Sequence, residues 1–169
     1  MHSRILLIGF MGSGKTTLGS RLARSLNYEF VDMDQLIEET AGLSIPGIFK
    51  EHGEGMFRKW EQKILDELSK REGLVISTGG GAPCLGNMMD QMKQCGTTIY
   101  IYLSPETLHS RLLKSRTERP LLKDKSESEL MVYIKKLLEE REPYYKQASL
   151  IVDGEKLTVD TLTKVLRSS

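Results

Sequence analysis

The sequence predicts an α/β protein built on a parallel β-sheet. Short apolar runs rich in β-branched residues alternate with longer segments of helical period, and glycine or proline stands at most of the junctions. A chain of 169 residues has the size of one compact domain, and neither an internal repeat nor a low-complexity linker divides it. We therefore expect a single domain over residues 1–169.

Each element has its own local signal. The predicted strands are short apolar runs, at Ile5–Ile8, Phe30–Asp32, Leu74–Ser77, Thr97–Leu103 and Leu150–Val152. The predicted helical segments are Lys15–Leu26, a broken stretch Asp34–His52, Glu54–Lys70, Asn87–Gln94, Pro105–Lys114, Glu127–Glu142 and Thr158–Leu166. Five strands with helices between them fit one sheet that is covered on both faces.

Composition and charge argue against several classes of partner. The formal net charge is +1, so no broad basic field is available to hold a nucleic-acid backbone. The two cysteines, Cys84 and Cys95, fit neither a zinc site nor a disulfide framework. The first apolar run is too short for a signal sequence or a membrane span. We expect a cytoplasmic monomer with free thiols and with neither nucleic-acid nor membrane partners.

A phosphate-binding loop follows the first predicted strand. Residues Gly9–Thr16 match the Walker A pattern of glycine, four residues, glycine, lysine and serine or threonine. Glycines let backbone N–H groups approach a phosphate, and the helix that follows directs its positive end at the same point. Lys15 can reach the β and γ phosphates, and Thr16 can offer its hydroxyl oxygen to Mg²⁺. The predicted nucleotide contacts are Gly12, Ser13, Gly14, Lys15, Thr16 and Thr17.

Two other interpretations of this loop are less favoured. A glycine-rich turn could merely join a strand to a helix, but the full motif stands between a predicted strand and a predicted helix. A GTP-dependent switch is disfavoured because the chain has no Asn-Lys-x-Asp sequence for reading guanine. A small-molecule kinase that uses ATP is the remaining hypothesis.

Two carboxylates mark the end of the second predicted strand. A two-residue spacing in extended chain would turn Asp32 and Asp34 to one face, at the sheet edge where open α/β sheets bind ligands. One carboxylate could lie near the Mg²⁺ shell while the other accepts hydrogen bonds from an acceptor's hydroxyl groups. An alternative for Asp34 is a structural role as the N-cap of a helix beginning at Gln35.

Two further segments could contact an acceptor molecule. Phe57, Trp60, Ile64 and Leu68 recur at helical spacing, which places Arg58 and Glu61 beside the apolar stripe. Periodicity alone favours an ordinary surface salt bridge for this pair. The third strand ends in Gly79, Gly80 and Gly81, and three consecutive glycines favour close approach of the backbone to a ligand.

A polar stretch between two helices is a candidate lid. Residues 115–128 are rich in Lys, Arg and Glu, are interrupted by Pro120, and contain the apolar pair Leu121 and Leu122. We place the lid at about residues 113–126.

Taken together, these features resemble the shikimate kinase family over nearly the whole chain. The segments that carry the resemblance are the Walker A loop, Asp32-Met33-Asp34, Phe57-Arg58-x-x-Glu61, Gly79–Gly81, Arg119-Pro120-Leu121-Leu122 and Arg141-x-Pro143-x-Tyr145. The resemblance implies a three-layer α/β/α P-loop kinase fold with five parallel strands in the order 2-3-1-4-5. It also implies Mg²⁺-dependent phosphorylation of the 3-hydroxyl of shikimate by ATP, on the route to chorismate and aromatic amino acids.

The same resemblance implies a role for each site residue. Arg58 and Arg141 would bind the shikimate carboxylate, since planar guanidinium groups bind carboxylates bidentately. Asp34 and the backbone of Gly79–Gly81 would bind the hydroxyl groups, and Glu61 would orient Arg58. The catalytic set would be Lys15, Asp32, Asp34 and Arg119. In this set Asp32 assists Mg²⁺ through water, and Arg119 closes with the lid onto ATP.

The chain also departs from the family pattern. Asp153, Gly154, Glu155 and Lys156 stand where family members often carry arginine or proline on the adenine side, so the adenine contacts stay unassigned. The arginine expected before the lid is Arg111 or Arg116, and we favour Arg111 as a nucleotide contact. The alternatives are a kinase for another small hydroxy acid such as gluconate, or a non-catalytic nucleotide-binding module. Intact Lys15, Thr16 and Asp34 speak against the second.

Overall fold

A five-stranded parallel β-sheet lies between two layers of helices in the computed structural model, which describes residues 3–115, 122 and 124–168. The strands are β1 (Arg4–Ile8), β2 (Glu29–Asp32), β3 (Leu74–Ser77), β4 (Thr97–Tyr102) and β5 (Leu150–Asp153). Their order is β2-β3-β1-β4-β5, and every neighbouring pair is parallel. The predicted fold class and strand order are therefore confirmed.

The central strand shows why the sheet is buried on both faces. Leu6 and Ile8 of β1 belong to one apolar core, whereas Ile5 and Leu7 belong to the other, and none of the four is more than 1% exposed. Successive side chains of a strand point to opposite faces, so a continuous apolar run supplies both cores.

The helices divide unequally between the two faces. Their bounds are α1 (Lys15–Leu26), α2 (Met33–Ala41), α3 (Ile45–Leu68), α4 (Met88–Cys95), α5 (Pro105–Lys114), α6 (Glu127–Tyr145) and α7 (Val159–Ser168). Leu22 of α1 and Leu162 of α7 pack into the core of Ile5 and Leu7. The other five helices contribute to the core of Leu6 and Ile8. A short 3₁₀ helix, Ala82–Cys84, follows the glycines after β3.

The predicted break between residues 34 and 70 occurs in two places. One lies between α2 and α3, where the Ser44 hydroxyl accepts a hydrogen bond from the N–H of Gly47 and caps α3. The other is a kink inside α3 at Gly53, with φ 77° and ψ 170°. A positive φ is strained for residues with a Cβ, so glycine accommodates the kink.

Helix α6 extends beyond the predicted end at Glu142. It continues through Pro143 to Tyr145, because proline removes one hydrogen bond from a helix without always ending it. Arg141 and Tyr145 are therefore four residues apart on the same face of the last turn. None of the helices in the part of the chain described above is long and apolar enough to cross a membrane.

Candidate active site

The carboxyl ends of β1, β2 and β3 open onto a cavity of about 530 Å³. The residues predicted from the sequence that line it are Gly12, Gly14, Lys15, Thr16, Thr17, Asp32, Asp34, Gly80 and Arg111. Open α/β sheets bind their ligands at this edge. The cavity therefore brings the predicted phosphate loop and the predicted acceptor residues to one place.

The phosphate loop is wrapped around the ammonium group of Lys15. Its Nζ donates hydrogen bonds to the carbonyl oxygens of Gly9, at 2.8 Å, and Phe10, at 2.9 Å, and the residue is only 8% exposed. Gly14 caps α1 with φ 91°, a conformation that favours glycine. Within the described ranges, the N–H groups of Gly12, Gly14 and Thr16 donate no backbone hydrogen bond. Free N–H groups at a helix start, next to a buried cation, form an anion-binding site.

Asp32 holds two parts of the site at once. Its Oδ2 accepts a hydrogen bond from the Thr16 hydroxyl at 2.8 Å, while its Oδ1 accepts from the N–H groups of Asp34, at 3.1 Å, and Gln35, at 3.3 Å. Asp32 is thus the N-cap of α2, and the alternative that Asp34 is the cap is wrong because α2 already begins at Met33. The expectation that both aspartates lie in extended chain is wrong for the same reason.

The carboxylate of Asp34 faces the glycines after β3. A Cβ added to Gly79 would lie 2.9 Å from Oδ1 of Asp34 and 3.3 Å from Oε1 of Glu61. Burial raises the pKa of Asp34, and the charge of Asp32 raises it further, whereas the charge of Lys15 lowers it. Among the described residues no donor bonds to this carboxylate. A poorly solvated carboxylate with free acceptor sites suits binding of a hydroxyl group.

Arg58 is held by two carboxylates on its own helix. Its Nη1 lies 2.7 Å from Oε2 of Glu61, and its Nη2 lies 3.0 Å from Oε1 of Glu54. The expectation of a surface salt bridge is wrong, because Glu61 is only 2% exposed. Glu61 lies one turn after Phe57 and therefore on the buried side of α3. Burial raises the pKa of Glu61, and the hydrogen bond from Arg58 opposes that rise.

Arg141 lies above an aromatic ring without a carboxylate partner. Its guanidinium carbon is 5.8 Å from the centre of the Phe10 ring. Across the described ranges, Arg141 takes part in no salt bridge, and its guanidinium group donates a hydrogen bond to the Tyr145 hydroxyl. A guanidinium group has five N–H donors, so its remaining donors stay available for an anion.

The two arginines converge on Gly81. A Cβ at Gly81 would lie 3.4 Å from Nη2 of Arg141 and 3.4 Å from Nη2 of Arg58. The buried Nε of Arg58 has no hydrogen-bond partner in the described part of the chain. Two convergent guanidinium groups with an unused donor match the geometry of a carboxylate-binding fork. The structure therefore places Arg58, Arg141 and Asp34 around the Gly79–Gly81 segment, and these are the residues for which the resemblance implies contact with the acceptor.

A second cavity, of about 420 Å³, also borders Arg111. Nη1 of Arg111 donates a hydrogen bond to the Ser13 carbonyl at 3.4 Å, and this side chain lines both cavities. Sequence reasoning named Gly154 on the adenine side but missed Leu157, Thr158 and Val159, which line the same cavity. The signal available was that Gly154 directly follows the last strand at the ligand-binding edge.

Some predicted residues lie outside the described part of the chain, and some contacts of the site were not predicted. Arg119, and with it half of the predicted lid at 113–126, lies outside the described residues, as does Arg116. Glu54 was missed, although it begins the predicted helix Glu54–Lys70 and stands four residues before Arg58, a spacing that favours an ion pair. The sequence gives Tyr145 no role beyond its place in the family motif, whereas in the structure it is fully buried and its hydroxyl donates a hydrogen bond to the Gly80 carbonyl.

Known proteins resemble this chain over most of its length. The family model "Shikimate kinase" matches residues 11–168. A shikimate kinase from Bacteroides fragilis is 45% identical over 154 residues, covering 91% of this chain and 86% of that protein. A shikimate kinase from Aquifex aeolicus is also 45% identical, over 165 residues, covering 98% of this chain and 95% of that protein.

Solved structures agree with this similarity. A shikimate kinase from Bacteroides thetaiotaomicron superposes with a TM-score of 0.94 at 40% identity, with 99% of each chain covered. A shikimate kinase from Acinetobacter baumannii in complex with shikimate gives 0.86 at 36% identity, covering 98% of this chain and 92% of that one. A gluconokinase from Sinorhizobium meliloti, at 17% identity and a TM-score of 0.57, shares the fold alone. From the family match and the identities over almost its entire length, the chain belongs to the shikimate kinase family.

Proposed function

We propose that this chain transfers the γ-phosphate of ATP to the 3-hydroxyl of shikimate, with Mg²⁺ bound beside the phosphates. The observation that carries the proposal is the convergence of Arg58 and Arg141 on Gly81, beside Gly80 and Asp34, which line one cavity with the phosphate loop. An acceptor with a carboxylate on one side and hydroxyl groups on the other fits this arrangement of charge.

The arginine pair supports binding of the acceptor's carboxylate. Glu61 is buried and fixes one edge of the Arg58 guanidinium, and the buried Nε of Arg58 has no acceptor among the described residues. Arg141 has no competing carboxylate among the residues described. Because both groups are partly desolvated, their interaction with an anion is stronger than it would be in bulk water.

Asp34 supports recognition and activation of the reacting hydroxyl. Its carboxylate lies against Gly79, and burial raises its pKa above that of an exposed aspartate. A raised pKa makes the carboxylate a better acceptor for the proton that leaves the hydroxyl as the oxygen attacks phosphorus. Asp34 would thus both orient the acceptor and take its proton.

The phosphate loop supports binding of the transferred group. The N–H groups of Gly12, Gly14 and Thr16, together with Lys15, would hold the phosphate oxygens and neutralise charge as the γ-phosphoryl group leaves. Ser13, Thr17 and Arg111 line the cavities on either side, and the second cavity, beside Gly154 and Leu157, has room for a nucleobase.

The pairing of Thr16 with Asp32 is compatible with magnesium. A hydroxyl and a carboxylate oxygen 2.8 Å apart are the hard oxygen donors that Mg²⁺ prefers. No group of three or more acidic, histidine or cysteine side chains capable of holding a metal occurs in the described ranges. The site therefore suits an ion that takes its other ligands from phosphates and water, and this ion would supply charge neutralisation.

The acceptor segment, the lid and the phosphate loop belong to one domain in this proposal. We place the acceptor segment at about residues 33–61 and the lid at about 113–126, with Arg119 closing onto the phosphates, within one domain. We also propose that the chain acts as a monomer in the cytoplasm. Gluconate remains a weaker alternative acceptor, because the gluconokinase likeness extends to the fold alone.

A coupled ADP-release assay tests the function. Shikimate, quinate and gluconate are compared as acceptors, each with Mg²⁺ and with excess EDTA. We expect rapid turnover with shikimate and Mg²⁺, much slower turnover with gluconate, and none with EDTA. Equal turnover with gluconate and shikimate, or full activity in EDTA, would contradict the proposal.

An arginine variant tests the carboxylate fork in the same assay. Arg58→Ala is expected to raise the shikimate KM by at least tenfold and to leave the ATP KM within about twofold, because losing a charge-assisted hydrogen bond costs about 1.5–3 kcal/mol. Equal losses for both substrates would refute the role of Arg58.

A further inference from the structure

Tyr145 places a buried hydroxyl group beneath the glycine segment of the site. The residue is 0% exposed and ends α6, and its ring lies 5.1 Å from that of Tyr100 at an interplanar angle of 44°. Its hydroxyl donates a hydrogen bond of 2.5 Å to the carbonyl oxygen of Gly80, which is 65 residues away in sequence. The ring packs against Tyr100, whereas the hydroxyl bonds to the backbone of the glycine segment, as a buried tyrosine hydroxyl needs a partner.

The hydrogen bond fixes the orientation of one peptide unit. In a planar trans peptide the C=O of Gly80 and the N–H of Gly81 point in opposite directions. A donor that holds the carbonyl therefore also sets the direction of the Gly81 N–H. Glycine has no side chain to restrict its backbone, so this unit would otherwise have access to more orientations.

The N–H groups around this unit are available to a ligand. Those of Gly79, Gly80 and Gly81 donate no backbone hydrogen bond to any acceptor in the described part of the chain. Gly80 also borders the main cavity. An oriented N–H group without a backbone acceptor, next to a residue that borders the cavity, costs little to reorganise when an anionic or hydroxyl oxygen arrives.

The same helix turn supplies a cation beside the same glycines. Arg141 precedes Tyr145 by one turn of α6, and a Cβ at Gly80 would lie 3.2 Å from its Nη1. The end of α6 thus contributes a guanidinium group to the acceptor pocket and a hydroxyl group to the backbone that borders it.

We propose that Tyr145 is a positioning residue for the acceptor, because its hydroxyl holds the Gly80–Gly81 peptide in the orientation that presents the Gly81 N–H to the acceptor's oxygen. This inference rests on the proposed function for the identity of the acceptor. Tyr145 itself does not touch the reacting atoms. Its contribution is made before binding, by removing alternative orientations of the glycine backbone.

Tyr145→Phe is the direct test, with Tyr100→Phe as the matched control. Each change removes one hydroxyl from a buried tyrosine of the same aromatic pair, but only Tyr145 bonds to the glycine segment. A hydrogen bond contributes about 1 kcal/mol, or roughly fivefold in an equilibrium constant. We expect the shikimate KM of Tyr145→Phe to rise about fivefold at unchanged ATP KM, and Tyr100→Phe to match wild type in both.

Amide spectra of ¹⁵N-glycine-labelled protein supply a second measurement that does not depend on turnover. The chain has 15 glycines, and Gly81 is assigned by its loss in a Gly81→Ala sample. We expect the Gly81 signal to shift or broaden in Tyr145→Phe and to stay unchanged in Tyr100→Phe, while the phosphate-loop glycines are unaffected in both. Loss of all native glycine signals would show that the hydroxyl supports the whole fold, which overturns a positioning role.

The outcomes separate this inference from the proposed function. Absence of shikimate turnover in wild type would refute the proposed function, whatever Tyr145 does to the glycine signals. An unchanged shikimate KM in Tyr145→Phe overturns the positioning role. So does an equal rise in both KM values, or a raised shikimate KM with an unaltered Gly81 signal.

Discussion

Gly79→Ala is expected to slow turnover by pushing two carboxylates out of place. Gly79 is not among the glycines with positive φ, so its backbone conformation is open to alanine. The added Cβ would lie 2.9 Å from Oδ1 of Asp34 and 3.3 Å from Oε1 of Glu61, whereas ordinary contact begins at 3.4 Å. The Asp34 carboxylate must therefore move by about half an ångström.

The size of the effect follows from that displacement. A misplacement of about 1 Å at a reacting centre costs on the order of a hundredfold in rate, so half that distance corresponds to roughly tenfold in kcat. Overpacking also costs about 1–3 kcal/mol of stability. For a domain of this size each kcal/mol lowers Tm by about 2–4 °C.

The measurement is kcat in the coupled ADP-release assay at saturating ATP and shikimate, together with a thermal melt. Gly55→Ala is the control, since Gly55 lies within α3 and a Cβ there meets no atom within 4 Å. We expect wild-type kcat for the control and an equal or slightly higher Tm, because alanine is a better helix former than glycine. A Gly79→Ala enzyme with wild-type kcat and a lowered Tm would refute the reasoning, because Asp34 would then tolerate displacement.

Three further substitutions test the charges of the site. Asp34→Asn is expected to lose turnover yet to raise Tm at pH 7. Burial and the charge of Asp32 raise the pKa of Asp34 in the folded state, so ionising this carboxyl group costs stability as pH rises from about 4 through the folded pKa. The gain in Tm of the variant should therefore vanish near pH 3, and a gain in Tm that persists there would contradict this cause. Lys15→Ala should reduce kcat by at least a thousandfold while circular dichroism shows a retained fold, and near-normal turnover would remove the phosphate-loop argument. Arg141→Lys should raise the shikimate KM by about tenfold at constant ATP KM, since lysine cannot form the bidentate pair, and a wild-type KM would count against the fork.

The sequence predicts most of the framework because that framework depends on local patterns. β1 and β3 are buried on both faces, so they read as continuous apolar runs, and α1 and α5 begin after glycine and serine signals that fix their bounds. The phosphate loop is equally local, since all its donors lie within a few residues.

The errors arise where tertiary contacts override a local pattern. Glu61 was placed at the surface because a periodic pattern counts glutamate as polar, whereas its pairing with Arg58 allows burial. Asp34 was weighed as a helix cap because the sequence does not reveal that Asp32 already fills that role. The second cavity brings Arg111 together with residues after β5 that are far from it in sequence, so the position of Gly154 after the last strand indicates a ligand-side loop but does not show which neighbours line the cavity.

The two carboxylate oxygens of Asp32 have different partners, which affects the choice of substitution at this position. One oxygen secures the start of α2 and the other binds Thr16, so a cation could take the second without unwinding the helix. Asp32→Ala removes both interactions together, so its effect on activity would combine a destabilised start of α2 with a loss of metal affinity. Asparagine keeps a neutral oxygen at the helix start while weakening cation binding, which makes it the informative replacement.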